Sequence, residues 1–325
     1  MTQVVFDLGD RKTGSTSIQN VLRAGAWRCA SKTLAYPYGQ GVHHIPLART
    51  LTDPPRFEER PKRFEDFDVR IDGSGADVAV ISAEQFETAD PADLHAAIEA
   101  HMPRCGEGAR CIAYVRPHAD RILSGAAERI KSGGLLGDLE QMHARALKSR
   151  ILDYTPRFKR WRAVFGDRFE LRPMIRDRLV DRDVVRDFFT AALGVDDFEI
   201  LAQAEINTSL SLKDLVMVRE FWRHARRTGR DLSAVKHSMG WAMGALLALE
   251  PAADRTRLRL HRSLAERIRT DYAEDAAALD AEFFADAPMT EALDRAGDAA
   301  QDAPSPLRAK DHFSKQERAR LTAWF

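Results

Sequence analysis

Between Val4 and Leu22 a short apolar run leads into a loop with Gly9, Lys12 and Gly14. Hydroxyls follow at Thr13, Ser15, Thr16 and Ser17, and a helical pattern begins at once. Glycines let the backbone approach an anion closely, and the first amides of a helix point outward without partners, so a strand that turns through such a loop into a helix holds phosphate. The frame that cradles nucleoside triphosphates reads GxxxxGK[ST]. Here both glycines are present, but Ser15 stands where that lysine belongs and Lys12 lies two residues ahead of Gly14. The loop therefore suits a phosphate-like group approached from the loop side and is a poor match to an ATP or GTP hydrolase.

A second group of residues could serve an anion. Arg116 follows the apolar run Arg110–Val115, Pro117 comes next, and Ser124 lies eight residues beyond Arg116 in a helical pattern. An arginine at the end of a strand offers a planar fork of donors to phosphate. Glu84 follows another apolar run, Asp77–Ser82, and His43 and His44 sit in a stretch rich in Pro, Gly and charge. A carboxylate or an imidazole is what a general base requires. Glu84 could equally be the acid that opens a helix capped by Ser82.

These residues are positioned by strands at Gln3–Leu8, Asp77–Ser82, Arg110–Val115 and Phe169–Met174, with helices at Ser15–Ala24, Pro91–His101, His118–Lys131 and Val184–Leu193. Strands alternating with helices predict a three-layer α/β fold, a central parallel sheet flanked by helices. Ligands then sit beyond the carboxyl ends of the strands, which brings the loop after Leu8, the residues after Ile81 and those after Val115 into one crevice. Tyr36–Arg70 reads as loops with short helical pieces. From about residue 205 the chain is largely helical, and the α/β domain is expected to span 1–292. Ala296–Pro306 reads as a polar linker and Ser314–Phe325 as a short tail helix, within a terminal region of 293–325.

With 49 basic and 49 acidic residues in 325, nothing draws the chain as a whole to nucleic acid. Charge runs at Arg56–Arg63 and Arg223–Arg230 read as solvated faces. The longest apolar patch, Met239–Leu249, is shorter than the ~20 residues a bilayer span needs. Cys29, Cys105 and Cys111 form no CxxC pair, which suits a reduced, cytoplasmic setting, and no metal-ligand cluster is visible. His95, His101, His118 and His143 read as structural.

The stretch RKTGSTSIQ, Arg11 to Gln19, is similar to the 5′-phosphosulfate loop of the sulfotransferases, whose usual form is close to PKTGTTSLQ, with Arg11 in place of proline and Ser15 in place of threonine. Arg116 and Ser124 resemble the pair that holds the 3′-phosphate in that family. Looser resemblances continue at Trp161–Gly194, Asn207–Ser211 and Asp271–Phe284, and Ser82-Ala83-Glu84 resembles the SxE segment of its bacterial members. The resemblance implies 3′-phosphoadenosine 5′-phosphosulfate as cofactor and a small molecule or glycan as sulfuryl acceptor. Arg11, Lys12, Thr13, Gly14, Ser15, Thr16 and Ser17 would hold the 5′ end, and Arg116 and Ser124 the 3′-phosphate. Lys12 would act on the leaving group, with Glu84 as base and His43 or His44 as second choices. An ATP-dependent kinase and a nucleotide-binding protein that has lost its base are the alternatives.

Overall fold

Val4–Phe6, Val78–Ile81 and Cys111–Val115 are uninterrupted apolar runs whose every side chain is buried. That pattern belongs to strands covered on both faces. The computed structural model describes residues 2–37, 43–202, 210–249 and 254–324. In chain order the elements begin with β1 (Gln3–Asp7), α1 (Ser15–Ala24), β2 (Trp27–Cys29), β3 (Leu34–Ala35), α2 (Ile45–Thr52), α3 (Arg60–Asp72), β4 (Val78–Ser82), α4 (Pro91–His101) and β5 (Arg110–Val115). They continue with α5 (His118–Lys131), α6 (Leu139–Ser149), α7 (Tyr154–Phe165), β6 (Phe169–Pro173), α8 (Val184–Leu193) and β7 (Phe198–Ile200). The remainder is helical: α9 (Leu212–Arg227), α10 (Lys236–Leu249), α11 (Arg262–Phe283), α12 (Pro288–Asp298) and α13 (Lys315–Trp324).

Five strands form the predicted parallel sheet in the order β3-β4-β1-β5-β6, flanked by helices, so the α/β fold class holds. Two short strands, β2 and β7, pair antiparallel outside it. The chain divides into two units. The first comprises Met1–Pro117, Tyr154–Ile206 and Leu279–Pro288, and carries every strand among the described residues. The second comprises His118–Asp153, Asn207–Ala278 and Met289–Phe325, and is helical.

In the first unit, Val5, Val78, Val80, Ile112 and Tyr114 present one face of the sheet to Ile18, Val21 and Leu22 of α1 and Val185, Phe188 and Phe189 of α8. Beneath the same helices Asp187 is fully buried. It accepts from the Tyr114 hydroxyl (2.5 Å), from Arg172 Nε and Nη2 (2.6 and 2.8 Å) and from the Val180 amide (2.9 Å). Burial alone would raise its pKa, but the bonds from Arg172 and Tyr114 hold it below the usual carboxylate value.

Residues 36–70 hold more helix than expected. Pro46 and Pro61 occupy the first turns of α2 and α3, where the missing N–H has no intrahelical partner to lose. Phe64, Asp68 and Ile71 form the buried stripe of α3. Residues 38–42 of that stretch lie outside the described ones.

In the second unit, Ala119, Ile122, Ala126 and Ile130 of α5 are buried, as are Leu264, Ile268, Tyr272 and Ala276 of α11. His118 stacks on Tyr272 at 4.8 Å with Nε2 3.0 Å from Asp275, and His143 Nε2 is 3.0 Å from Asp271. Residues 296–306, expected as a linker, are packed. α12 runs to Asp298, the Gln301 amide donates to the Leu260 carbonyl (3.0 Å), and the Ser305 hydroxyl donates to that of Arg259 (3.0 Å). Main-chain pairing of this kind leaves no mark in composition. The expected tail helix forms as α13.

Because Asp187 anchors four donors, Asp187→Ala leaves the buried Tyr114 hydroxyl without its acceptor and the half-buried Arg172 guanidinium with Glu170 alone. Equilibrium urea unfolding should show a loss of about 1–3 kcal/mol, the cost of leaving a buried polar group unsatisfied.

Candidate functional site

The loop from Leu8 to Gly14 leaves the carboxyl end of β1 and is pinned at each step. The Leu8 amide donates to the Ile112 carbonyl of β5 (2.9 Å), and the Gly9 amide to Asp7 Oδ1 (3.2 Å). Asp10, 2% exposed, receives both Nη atoms of Arg157 at 2.6 Å. The guanidinium lies 4.3 Å from the centre of the Phe158 ring. Burial pushes the Arg157 pKa down, but the charge and hydrogen bonds of Asp10 outweigh it and hold the guanidinium above its usual value.

Lys12 and Gly14 both adopt left-handed backbone, at φ +70° and +89°. For a lysine this conformation costs about 1–3 kcal/mol and persists only where the surroundings hold it. Arg116 Nη1 donates to the Lys12 carbonyl (2.8 Å), and the Thr13 hydroxyl donates to that of Asp10 (2.5 Å). The Arg116 carbonyl in turn accepts from the Tyr154 hydroxyl (2.9 Å). At Gly14 a Cβ would stand 2.7 Å from Val184 Cγ1, so glycine is required on both counts. Gly14 caps α1, and its carbonyl accepts from the Ser17 amide (2.9 Å). The outward amides at the helix start are therefore those of Ser15 and Thr16. The Ser17 amide, expected among the anion donors, is committed to the helix.

Glu84 opens a short 3₁₀ turn, Glu84–Thr88, after β4. Its Oε1 lies 3.9 Å from Arg11 Nε, and Glu87 Oε2 lies 3.8 Å from the same nitrogen. Glu84 thus reaches the loop after β1. Ser82 is not a helix cap: its hydroxyl donates to Asp7 Oδ2 (2.6 Å) and accepts from Gln19 Nε2 (2.9 Å).

His44 is buried between Tyr36 and Phe67, with ring centres 4.6 and 5.0 Å away. Its Nδ1 accepts from the Ser82 amide (2.9 Å). A main-chain amide only donates, so the ring carries its proton on Nε2 and has no lone pair to offer a substrate. Burial lowers its pKa to about 3, against a partial offset from the Pro37 carbonyl. His43 is exposed and lines a cavity of about 110 Å³ with Arg63 and Arg70.

Lys12, the outward amides, Arg116, Arg11 and Glu84 are all carried by the first unit. Ser124 belongs to the second, half-buried in α5, its hydroxyl donating to the Arg121 carbonyl (3.3 Å). Of the loop's supports, Asp7, Asp10, Gln19 and Arg157 have no role assigned to them from the sequence, and Ser82 has there the role of a cap instead. Arg157 lies 147 residues from its partner and stands in no local motif.

No family model matches the chain, and no curated protein matches it. Among solved structures, a sulfotransferase from Alicyclobacillus acidocaldarius is similar, at 13% identity and a TM-score of 0.46, with 87% of this chain and 96% of that one covered.

Asp7 is fully buried beneath the loop, and burial lifts its pKa from 3.8 to about 6, against the lowering bonds from Ser82 and Gly9. A raised acid binds its proton more tightly in the folded state. Its contribution is complete below about pH 4 and is lost as the pH rises through about 6. At about 1.4 kcal/mol per pH unit this amounts to at most about 3 kcal/mol. Denaturant titrations from pH 4 to 7.5 should show that decline in the wild type relative to Asp7→Asn; parallel curves for the two proteins would remove Asp7 as its source.

Proposed function

We propose that the chain transfers a sulfuryl group from 3′-phosphoadenosine 5′-phosphosulfate to a hydroxyl or amine of a small-molecule or glycan acceptor. The observation that carries this reading is the held left-handed Lys12, two residues ahead of the glycine that opens α1, with Arg116 fastened to its carbonyl. Lys12 and the outward amides of Ser15 and Thr16 follow β1 and fit a dianionic 5′-phosphate, Arg116 follows β5 as the cation for a second phosphate, and Ser15 at the triphosphate-lysine position disfavours ATP.

When bound, the nucleotide supplies a sulfuryl group on a phosphate leaving group. Lys12 and the amides of Ser15 and Thr16 stabilise the charge that grows on the departing 5′-phosphate as its bond to sulfur breaks. The hydroxyls of Thr16 and Ser17 add donors on the same side. Glu84 accepts the proton that the acceptor oxygen or nitrogen loses as its bond to sulfur forms. Arg11, within 4 Å of Glu84 and Glu87, keeps that carboxylate oriented toward the loop. Arg116 takes the 3′-phosphate. The Nδ1 bond from Ser82 argues against His44 as base, and His43 is the alternative to Glu84.

Thermal-shift titration distinguishes the nucleotides. Adenosine 3′,5′-bisphosphate should stabilise the protein by about 2.7 kcal/mol at a hundredfold excess over its Kd, and ATP with Mg²⁺ far less; no stabilisation by the bisphosphate would overturn the proposal. Lys12→Ala and Arg116→Ala should each weaken bisphosphate binding about 10- to 150-fold, the value of a charge-assisted hydrogen bond of about 1.5–3 kcal/mol.

Glu84→Gln should keep bisphosphate affinity while sulfuryl transfer from the labelled cofactor falls about 10²–10⁴-fold. Unchanged turnover in that variant would move the base to His43. Bisphosphate binding with no transfer by the wild type to a broad acceptor panel would favour a non-catalytic binding protein.

A further inference from the structure

The second unit holds a cavity of about 620 Å³ whose lining includes Arg219, Arg223 and Arg308, the carboxylates Asp138 and Asp311, and the apolar Leu136, Pro304 and Leu307. Arg219 is 4% exposed. Its Nε and Nη2 donate to the Leu136 carbonyl and its Nη1 to the Leu307 carbonyl. These partners are dipoles. The guanidinium charge meets no carboxylate within ion-pair distance among the described residues.

The neighbouring charges are already engaged. Arg223 pairs with Glu220 (3.2 Å), and Arg308 with Asp311 (3.1 Å). Asp138, which also lines the cavity, accepts from the Gln141 amide (3.0 Å) as the cap of α6. Three arginines against the two carboxylates of the lining, Asp138 and Asp311, leave one positive charge over, and Arg219 is the buried one, at the wall of a space large enough for a small organic molecule. Burial and the like charge of Arg223 bring the Arg219 pKa down to about 10 against the attraction of Glu220 and Asp138, so it stays cationic at neutral pH, held in a setting that on balance penalises its charge. A buried cation of this kind gains most from an anion that enters without its own water. A guanidinium has five N–H donors, and the two carbonyls accept from three nitrogens while leaving N–H groups for a ligand. The proline and leucine wall excludes water from the rest of such a ligand.

We propose that this cavity binds a small organic anion, an oxyanion head of carboxylate, sulfate or phosphate-ester type on an apolar body, with the head at Arg219, Arg223 and Arg308 and the body against Leu136, Pro304 and Leu307. The proposal is independent of the nucleotide reading, which concerns other residues in the other unit.

Calorimetric titration of the full chain with benzoate, phenyl phosphate and 4-nitrophenyl sulfate tests it, with benzamide and phenol as neutral counterparts. At least one anionic probe should bind saturably, and the neutral counterparts at least tenfold more weakly. Its affinity should stay within twofold in Lys12→Ala, which removes the phosphate-loop cation. The double variant Arg223→Gln/Arg308→Gln leaves the Arg219 clasp intact and should weaken the probe at least tenfold, with thermal unfolding confirming that it remains folded. Absence of saturable binding by all three probes would overturn the proposal. So would loss of binding in Lys12→Ala, or an affinity unmoved by the double variant. Failure of adenosine 3′,5′-bisphosphate to bind would leave this result unaffected.

Discussion

The buried pair between Asp10 and Arg157 is the constraint on which the site depends. The loop from Leu8 to Gly14 holds strained backbone still, and the strain sits on a lysine as well as on a glycine. Asp10 and Arg157 meet fork to fork with both charges out of water. Such a pair adds little net stability, because desolvation offsets most of the attraction, yet losing either partner is costly. Its effect is geometric: Asp10 cannot shift without stranding a guanidinium packed on Phe158. The Asp10 carbonyl then accepts from Thr13, and the Lys12 carbonyl accepts from Arg116. Donors fixed before a ligand arrives need no reorganisation when charge develops, which is where much of catalytic stabilisation originates.

Parallel pairing explains why the remaining groups gather there. Asp7 and Ser82 are register partners on β1 and β4, so the loops that follow them emerge side by side. That adjacency puts Arg11 from one loop opposite Glu84 and Glu87 from the other. The Leu8 amide on Ile112 ties the same loop to β5, whose next exit carries Arg116. Asp7, Ser82 and Gln19 form the polar floor beneath these loops, and burial leaves the Asp7 carboxyl poised near pH 6.

Much of this was legible in the sequence. Continuous apolar runs marked the strands, and α1, α4, α5 and α8 end where their glycines, prolines and periodicity place them. The placement of Glu84 near the phosphate loop followed from the rule that ligands meet the carboxyl ends of parallel strands. What was hidden depended on distant partners. His44 has the side chain of a base, but a single amide from Ser82 sets its tautomer, and two aromatic rings remove its solvent. Prolines that suggested loops between 36 and 70 open helices instead. Residues 296–306 have a linker's composition and a packed segment's hydrogen bonds. Arg157, indispensable to the loop, is one of many arginines until the fold brings it to Asp10.

Three arginines, Arg157, Arg172 and Arg219, show how a local charge balance distinguishes support from a binding surface. Arg157 meets Asp10 and Arg172 meets Asp187 in two-pronged contacts, and each guanidinium is held above its usual pKa. Both are structural clamps with their charge cancelled in place. Arg219 is more deeply buried than either clamp but is turned toward two carbonyls, and its pKa moves the other way. Carbonyl dipoles fix the orientation of a guanidinium without neutralising it, so orientation is met and charge is not. A fold that needed only the clasp between Leu136 and Leu307 could use an uncharged donor there. Retaining a cation at the wall of an open cavity supplies the one thing the clasp does not need, attraction for an anion from outside the chain.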